Sequence, residues 1–312
     1  MTDAQTTADG FGRRLAPPGD PWEGAAFDAL YDGRIAPELA RCEVERRRDV
    51  AIFIAAATAG ALVIALEIFA WSAQPVIVGF TAIAALGLGY APLGSLAKKA
   101  KSTALAALCA PLGIEYEPRL REAPYLDGLV GLKLIQRPEG AVYTDAFRGR
   151  RGKADFWMCS AILTRGSGKE RHMVFQGELF RLSAGRARLG VTVVLRNSGL
   201  LSGFEKPPGL RPVGLEDISF NKEFVVYGSD QVEAREILTP AFMQRLLDLE
   251  AGFAGAHIRC AFTGPDLLIA LETSARFDIG GLFTSLVDKA RVAALAARLE
   301  GFFKVVDGFG QV

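Results

Sequence analysis

A long, almost uncharged stretch constrains the fold of this chain more than any other feature. Between residues 50 and 97 the only charged residue is Glu67. Two segments of 22 residues, Val50–Trp71 and Pro75–Leu96, lie on either side of a short uncharged turn. At about 1.5 Å of rise per residue, each would form a helix roughly 33 Å long, which matches a hydrocarbon core of about 30 Å. We therefore predict a two-helix transmembrane hairpin over residues 50–97, with the lipid bilayer as its partner.

Basic residues flank this predicted hairpin on both sides. Arg46, Arg47 and Arg48 precede the first span, and Lys98, Lys99 and Lys101 follow the second. Because cations favour the cytoplasmic side, both termini are predicted to be cytoplasmic, in a multi-pass protein of the bacterial cytoplasmic (inner) membrane. A secretory signal peptide is not expected, since the first apolar run begins about fifty residues into the chain and is too long for a signal core.

Glu67 has two interpretations within the predicted first span. An intramembrane carboxylate often marks an ion path. Alternatively, a carboxylate near the end of a span reaches the headgroup region. Glu67 lies one turn from Trp71, and the second span offers no polar partner, which favours the interfacial interpretation.

The segments around the hairpin are predicted to differ in order. Residues 1–20 mix threonine, glycine, proline and both charges without apolar periodicity, which predicts disorder. Apolar residues recur at helical spacing before and after the spans, which predicts cytoplasmic juxtamembrane helices at residues 21–49 and 98–113. The first of these helices is expected to continue directly into the first span.

Residues 114–312 are predicted to form a cytoplasmic α+β domain with a mainly antiparallel sheet and two or more helices. Runs with strand character lie at residues 153–165, 171–184, 190–197, 220–230 and 257–274. Helices are predicted at 240–253 and at about 282–306. Apolar residues of the last helix follow two heptads, too few for a sustained coiled coil. We therefore expect it to cover the sheet or to lie along the juxtamembrane helices, with homo-oligomerisation through it as the alternative.

Neither the charge nor the cysteines indicate a nucleic-acid or metal site. The chain has 36 basic and 35 acidic residues, which gives no overall field for nucleic acid. Its four cysteines are far apart and none has a paired spacing, so free and mostly buried thiols are expected. They are Cys42, Cys109, Cys159 and Cys260.

No catalytic, cofactor-binding or metal-binding motif is predicted. The run TRGSGKE at 164–170 lacks the first glycine and the final serine or threonine of a phosphate-binding loop, so a hairpin turn is expected there. His172 and His257 lie far apart in strand-like runs, without carboxylates or cysteines at ligand spacing.

Three stretches of the chain resemble one known family. They are FVVYGSDQVEAREILTPAFMQRLLDLE at 224–250, FDALYDGRIAPELARCEVERR at 27–47 and LAALCAPLGIEYEP at 105–118. They are similar to an uncharacterised bacterial family of two-span membrane proteins, domain of unknown function 3137. This resemblance implies a membrane hairpin with a cytoplasmic domain, and it brings no catalytic residues with it.

The 224–250 signature also has a purely structural interpretation. Asp230 with Glu233 fits a capping box at the start of a short helix, and Thr239 followed by Pro240 fits the start of the next. Arg235 would then face solvent or pair with an acid. The alternative is that Asp230, Glu233 and Arg235 form a ligand or partner site.

These patterns favour a membrane-anchored cytoplasmic binding or scaffold module that engages a protein or a small molecule. The alternative is a membrane-tethered enzyme whose polar residues converge from distant strands of the cytoplasmic domain. The binding or scaffold hypothesis is favoured only because no local motif indicates a catalytic site.

Overall fold

The computed structural model describes residues 22, 24–71, 95–183, 188–197, 206–252, 257–274, 277–279 and 284–309. The chain forms two compact units. The first comprises Met1–Leu112 and Phe277–Arg298, and the second comprises Gly113–Arg276 and Leu299–Val312. The predicted 114–312 domain therefore differs from the second unit by one segment, 277–298. The predicted disordered segment, 1–20, lies outside the described residues.

The first unit begins with an almost unbroken helix. Helix α1 (Gly24–Leu30) continues through a π-helical turn (Tyr31–Ile35) into α2 (Ala36–Trp71). This confirms that the helix before the apolar block runs into the first predicted span. The stretch Gly24–Glu67 contains a segment long and apolar enough to cross a membrane.

The second half of the predicted hairpin cannot be placed in the same way. Residues 72–94, which hold the turn and nearly all of the second predicted span, lie outside the described residues. The structure thus shows one long apolar helix, and the two-helix hairpin stays a prediction. After this gap, helix α3 covers residues 95–109 and a 3-10 turn follows at Ala110–Leu112, close to the predicted end near residue 113.

A buried carboxylate ties α2 to a distant segment of the first unit. Glu43 is 6 % exposed, and its side chain accepts hydrogen bonds from Arg46 at 2.7 and 2.8 Å and from the Leu286 amide at 2.9 Å. Arg47 donates a further bond at 3.1 Å. The bond from Arg46, then those from the Leu286 amide and Arg47, lower the pKa of Glu43 from 4.5 to about 2 despite its burial.

The second unit is built on one nine-stranded sheet with the order β1-β2-β3-β4-β9-β8-β5-β7-β6. Every neighbouring pair is antiparallel, which confirms the predicted α+β class. The strands are β1 Glu115–Leu120, β2 Gly140–Arg151, β3 Ala154–Arg165, β4 His172–Ser183, β5 Val191–Arg196, β6 Arg211–Pro212, β7 Phe224–Gly228, β8 His257–Thr263 and β9 Asp266–Glu272. The helices are α4 Leu126–Gly131, α5 Ile218–Glu223, α6 Gln231–Ile237, α7 Pro240–Gly252 and α8 Lys289–Phe309, of which α8 begins in the first unit.

Two predicted elements need correction at their starts. The run 220–230 is not strand throughout, because the Asp217 side chain accepts a hydrogen bond from the Phe220 amide at 2.9 Å and caps α5. The last helix begins at Lys289 and not near 282. There, the Asp288 side chain accepts a bond from the Ala290 amide at 2.9 Å and caps the helix.

Each face of the sheet has its own cover within the second unit. On one face a buried cluster that includes Trp157 and Leu179 packs with Leu129 of α4. On the opposite face the end of α8 packs on the strands, with the Phe303 ring 5.6 Å from that of Phe156. The central strands are therefore buried on both sides.

The heptad stripe of α8 is almost completely buried within the chain. Its five residues, each at most 2 % exposed, are Val292, Leu295, Leu299, Phe302 and Val306. This burial favours the expectation that α8 covers the core of its own chain. Self-association through this helix has no support from the structure.

We predict that Glu43→Gln lowers the free energy of unfolding by about 3 kcal/mol near pH 7. The drop in the pKa of Glu43 from 4.5 to about 2 measures how strongly the folded protein stabilises the ionised carboxylate, which glutamine cannot provide. Since the folded-state pKa is depressed, this contribution is present above pH 4.5 and is lost as the pH falls towards about 2. Thermal unfolding of the full chain in detergent across this range measures the difference. Glu38→Gln, at a carboxylate whose pair with Arg41 is solvent-exposed, is the control. Equal stability of Glu43→Gln and wild type near pH 7 would contradict the assignment.

Candidate functional site

An open cavity lies beside the edge strand β1 of the second unit. Its volume is about 310 Å³, at the lower end of the roughly 300–1,000 Å³ typical of small-molecule sites. Side chains of β1, β2 and β3 line it: Glu115, Tyr116, Glu117, Leu120, Ala146, Phe147, Arg148 and Trp157. This is the cavity that we take as the candidate binding site.

A β-bulge in β2 shapes one wall of the cavity. Thr144 pairs with Ser160 and Phe147 with Met158, so that two residues, Asp145 and Ala146, stand where the ladder has room for one. The extra residue lets Ala146 line the cavity. Because alanine is small, this wall leaves space that a longer side chain would fill.

Asp145 adopts an unusual backbone conformation at this bulge. Its φ is 51°, in the left-handed region that few non-glycine residues occupy, and its side chain is buried. The carboxylate accepts a hydrogen bond of 2.8 Å from the Tyr116 hydroxyl, which ties β1 to β2 at the edge of the cavity. A buried carboxylate in a strained bulge beside a cavity is typical of functional sites.

The cavity combines an apolar floor with a charged rim. Trp157 is 4 % exposed, and the Tyr125 ring packs edge-on against it with ring centroids 5.4 Å apart. On the rim, Glu115 lies opposite Arg148 in the β1–β2 register. Glu117 is exposed, and its side chain has no ion pair or hydrogen bond in the described part of the chain. The rim therefore carries one excess negative charge.

The thiol next to this bulge is not a nucleophile. Cys159 is fully buried, and burial, together with the nearby carboxylates Glu178 and Asp145, raises the pKa of its thiol well above the usual value. A protonated thiol is a poor nucleophile and a poor metal ligand. All four cysteines are free and buried, as the sequence predicts.

Two further polar groups are buried near Cys159. The Glu178 side chain is 1 % exposed and accepts hydrogen bonds of 2.9 Å from the Ser160 hydroxyl. The Tyr143 hydroxyl is buried and has no hydrogen-bond partner among the described residues, and burial raises its pKa to about 12. Neither residue lines the cavity, so neither is placed to give an acid or a base to a ligand bound there.

The three signature residues lie together at α6, away from the residues that line the cavity. The Asp230 side chain accepts hydrogen bonds from the amides of Val232 at 2.8 Å and Glu233 at 3.1 Å, which confirms the predicted N-cap. Thr239 caps α7 in the same way, with its hydroxyl accepting a bond from the Phe242 amide at 3.2 Å.

Glu233 does not complete the predicted capping box. Its two side-chain oxygens accept hydrogen bonds from the amides of Leu189 at 3.2 Å and Gly190 at 2.7 Å, ahead of β5. A Cβ at Gly190 would lie 2.5 Å from the Glu233 carboxylate, so a larger residue there would displace this side chain. Arg235 donates to the Gly214 carbonyl at 3.4 Å. All three residues thus hold backbone in place, and their role in a ligand or partner site stays a prediction.

The two histidines and the glycine-rich run 164–170 lie in a turn and in strands, where their contacts are with protein groups. The run 164–170 spans the end of β3 and most of the predicted turn before β4, with a 3-10 turn at Gly168–Glu170. His172 lies 3.1 Å from the Glu170 carbonyl, and His257 lies 3.8 Å from the Glu250 carboxylate, a contact that sequence spacing could not show. Among the described residues, no group of three or more His, Cys, Asp or Glu side chains could hold a metal ion.

If Asp230 acts only as a cap, Asp230→Asn and Asp230→Ser should leave the melting temperature nearly unchanged. Asp230→Ala should cost about 0.5–2 kcal/mol, because alanine cannot accept the amide bonds. Thermal unfolding of the full chain measures the three variants, with Glu236→Ala on the exposed face of α6 as the control. Loss of a bound ligand or partner by Asp230→Asn at an unchanged melting temperature would show instead that the charge itself is used.

Comparison with known proteins identifies the second part of the chain. No curated protein sequence matches this chain. Among solved structures, the crystal structure of the mycobacterial trehalose monomycolate transport factor A, TtfA, is similar, with a TM-score of 0.32 and 11 % identity over 68 % of this chain and 97 % of that one. A similarity at this level does not establish a shared fold. The model of the family described as "Protein of unknown function (DUF3137)" matches residues 173–311. These residues therefore belong to the family of unknown function that the 224–250 signature predicts.

Proposed function

We propose that this chain is a membrane-anchored binding module that holds a small ligand with an apolar part and a cationic part in the cavity beside β1. The observation that carries the proposal is the cavity itself, with its apolar floor at Trp157 and one unpaired carboxylate, Glu117, on its rim. A concave, largely apolar site with few polar groups is the usual form of a small-molecule site.

The exposed surface of α2 supports the membrane anchor. Only 6 % of its most apolar 18-residue stretch is buried, and the side chains of Leu62 and Phe69 are 73 % and 89 % exposed. A core helix of a soluble protein would bury such residues. We propose that α2 enters the bilayer from Val50 onward and that residues 50–97 as a whole form the two-span hairpin.

The orientation and location follow from the basic residues that flank the apolar block. With cations on both flanks, we propose that both termini and the sheet unit are cytoplasmic, in a multi-pass protein of the bacterial inner membrane. The ligand cavity would then open to the cytoplasm.

The rim charges indicate which ligands the cavity favours. Since Glu115 and Arg148 lie opposite each other, their charges offset, and Glu117 is the charge left to act on a ligand. A ligand with an apolar body against Trp157 and a positively charged group near Glu117 fits both features.

An enzyme remains the weaker candidate for this site. Its supporting observation is the strained, buried Asp145 next to Tyr116, since such strain often accompanies catalysis. Against it, the neighbouring Cys159 thiol is held protonated and the Glu178 side chain is buried. Binding without turnover is therefore the function that the geometry supports best.

We predict that Ala146→Leu removes the bound ligand. The added carbons fill the cavity, so the ligand recovered from purified protein should fall by roughly tenfold or more, equivalent to about 1.4 kcal/mol of binding. The protein is extracted with detergent from carbonate-washed membranes and analysed by native mass spectrometry. Ala141→Leu, at an exposed position of the same strand, is the control.

Two further results make this experiment decisive. Because a larger side chain at a buried position can destabilise the sheet, the exposed Glu117→Gln tests the site independently and should weaken a cationic ligand without a change in melting temperature. Full ligand recovery from both variants would exclude the cavity as the site. Release of the chain by the carbonate wash would exclude the membrane anchor.

A further inference from the structure

Six cations form a band where the apolar part of α2 begins. This basic band consists of Arg46, Arg47, Arg48, Lys98, Lys99 and Lys101. The arginines lie on α2 and the lysines on α3, so the two groups come from segments that are about fifty residues apart in the chain. At about 1.5 Å per residue, the arginines lie within about 6 Å of Val50 along the helix axis.

Contacts within the first unit bring the two halves of the band together. The Lys99 ammonium lies 3.3 Å from the Glu45 carboxylate of α2. Near the other end of α3, the Trp22 indole donates a hydrogen bond of 3.1 Å to the Leu108 carbonyl. The Lys99–Glu45 contact therefore places the start of α3 beside the part of α2 that precedes its apolar segment.

The acidic residues nearby neutralise only part of this charge. Glu43 pairs with Arg46 and Arg47, and Glu45 pairs with Lys99. Asp49, next to Arg48, adds a third negative charge, so the six cations exceed these acids by three. Arg47 nevertheless has a side chain that is 76 % exposed.

Two cations of the band have no acidic partner among the residues that the structure describes. Arg48 and Lys98 are exposed, and neither makes an ion pair or a side-chain hydrogen bond within the described part of the chain. At least two positive charges therefore face outward where the apolar segment starts.

We infer that the basic band binds the phosphate groups of anionic phospholipids in the leaflet through which α2 enters the membrane. This inference rests on the proposed membrane anchor and adds a lipid preference to it. Clusters of four to eight lysines and arginines next to a membrane helix attract anionic lipids, and each cation near the surface contributes about fivefold in affinity. Arg48 and Lys98 carry the preference, since their charges are not offset.

The test uses the full-length chain reconstituted into phosphatidylcholine vesicles that contain a trace of spin-labelled phosphatidylglycerol or spin-labelled phosphatidylcholine. Electron paramagnetic resonance measures the fraction of each label that the protein immobilises. We expect phosphatidylglycerol to be preferred. The preference should fall by about five- to twentyfold in the Arg48→Gln/Lys98→Gln double variant, and it should weaken in about 1 M salt, where the screening length is only about 3 Å.

A matched control removes the same charge elsewhere in the first unit. Arg34 and Arg41 lie 14 and 7 residues before Arg48, about 10–20 Å further from the apolar segment. The Arg34→Gln/Arg41→Gln double variant should therefore retain the preference for phosphatidylglycerol. Because the salt titration uses the wild-type protein, it tests the inference even if the double variant fails to fold.

Other outcomes would overturn the inference and identify the step at fault. Equal immobilisation of both labels by an incorporated protein would refute the lipid preference and leave the membrane anchor intact. Failure of the protein to float with the vesicles would refute the anchor itself. Release of the phosphatidylglycerol label by soluble glycerol 1-phosphate would show that the band binds free phosphate esters and not a lipid surface.

Discussion

The apolar side chains that α2 leaves exposed set the main constraint on this molecule. Leu62, Leu66 and Phe69 are each more than half exposed. They lie on α2, whose first part, before Val50, is rich in charged residues. At about 25 cal/mol for each Å² of apolar surface, leaving such side chains in water is costly, so something outside the described residues must cover them. The proposed bilayer would satisfy this requirement and would explain why the basic band lies immediately before Val50.

The sheet unit obeys a different constraint, because its central strands need cover on both faces. α4 and its neighbouring segment cover one face, and the end of α8 covers the other. At the β1 edge this cover stops, and the bulge at Asp145 and Ala146 leaves an open space above Trp157. The cavity is thus a consequence of where packing ends. Its position at an edge also makes it accessible without any rearrangement of the core.

Much of the local structure could be predicted from the sequence, because local rules govern it. Strand alternation predicts the β3–β4 and β8–β9 hairpins. The Asp230 cap follows from Glu233 three residues later, and the Thr239 cap from the proline that follows it. The cavity could not be predicted, since the sequence pattern does not indicate β1 and β2 and the cavity walls join residues about forty positions apart. Glu43 likewise meets the Leu286 amide, a partner 243 residues away. Such contacts depend on the tertiary fold, which spacing along the chain does not encode.

Labelling from outside the cell tests the membrane anchor most directly. The four native cysteines are buried, so single cysteines introduced at Ala73 and at the exposed Lys169 of the β3–β4 turn can be followed with an impermeant maleimide. We predict that Ala73→Cys reacts in intact cells, whereas Lys169→Cys reacts only after permeabilisation, because the uncharged turn lies opposite the basic flanks. Reaction of Ala73→Cys only after permeabilisation, or of Lys169→Cys in intact cells, would contradict the account.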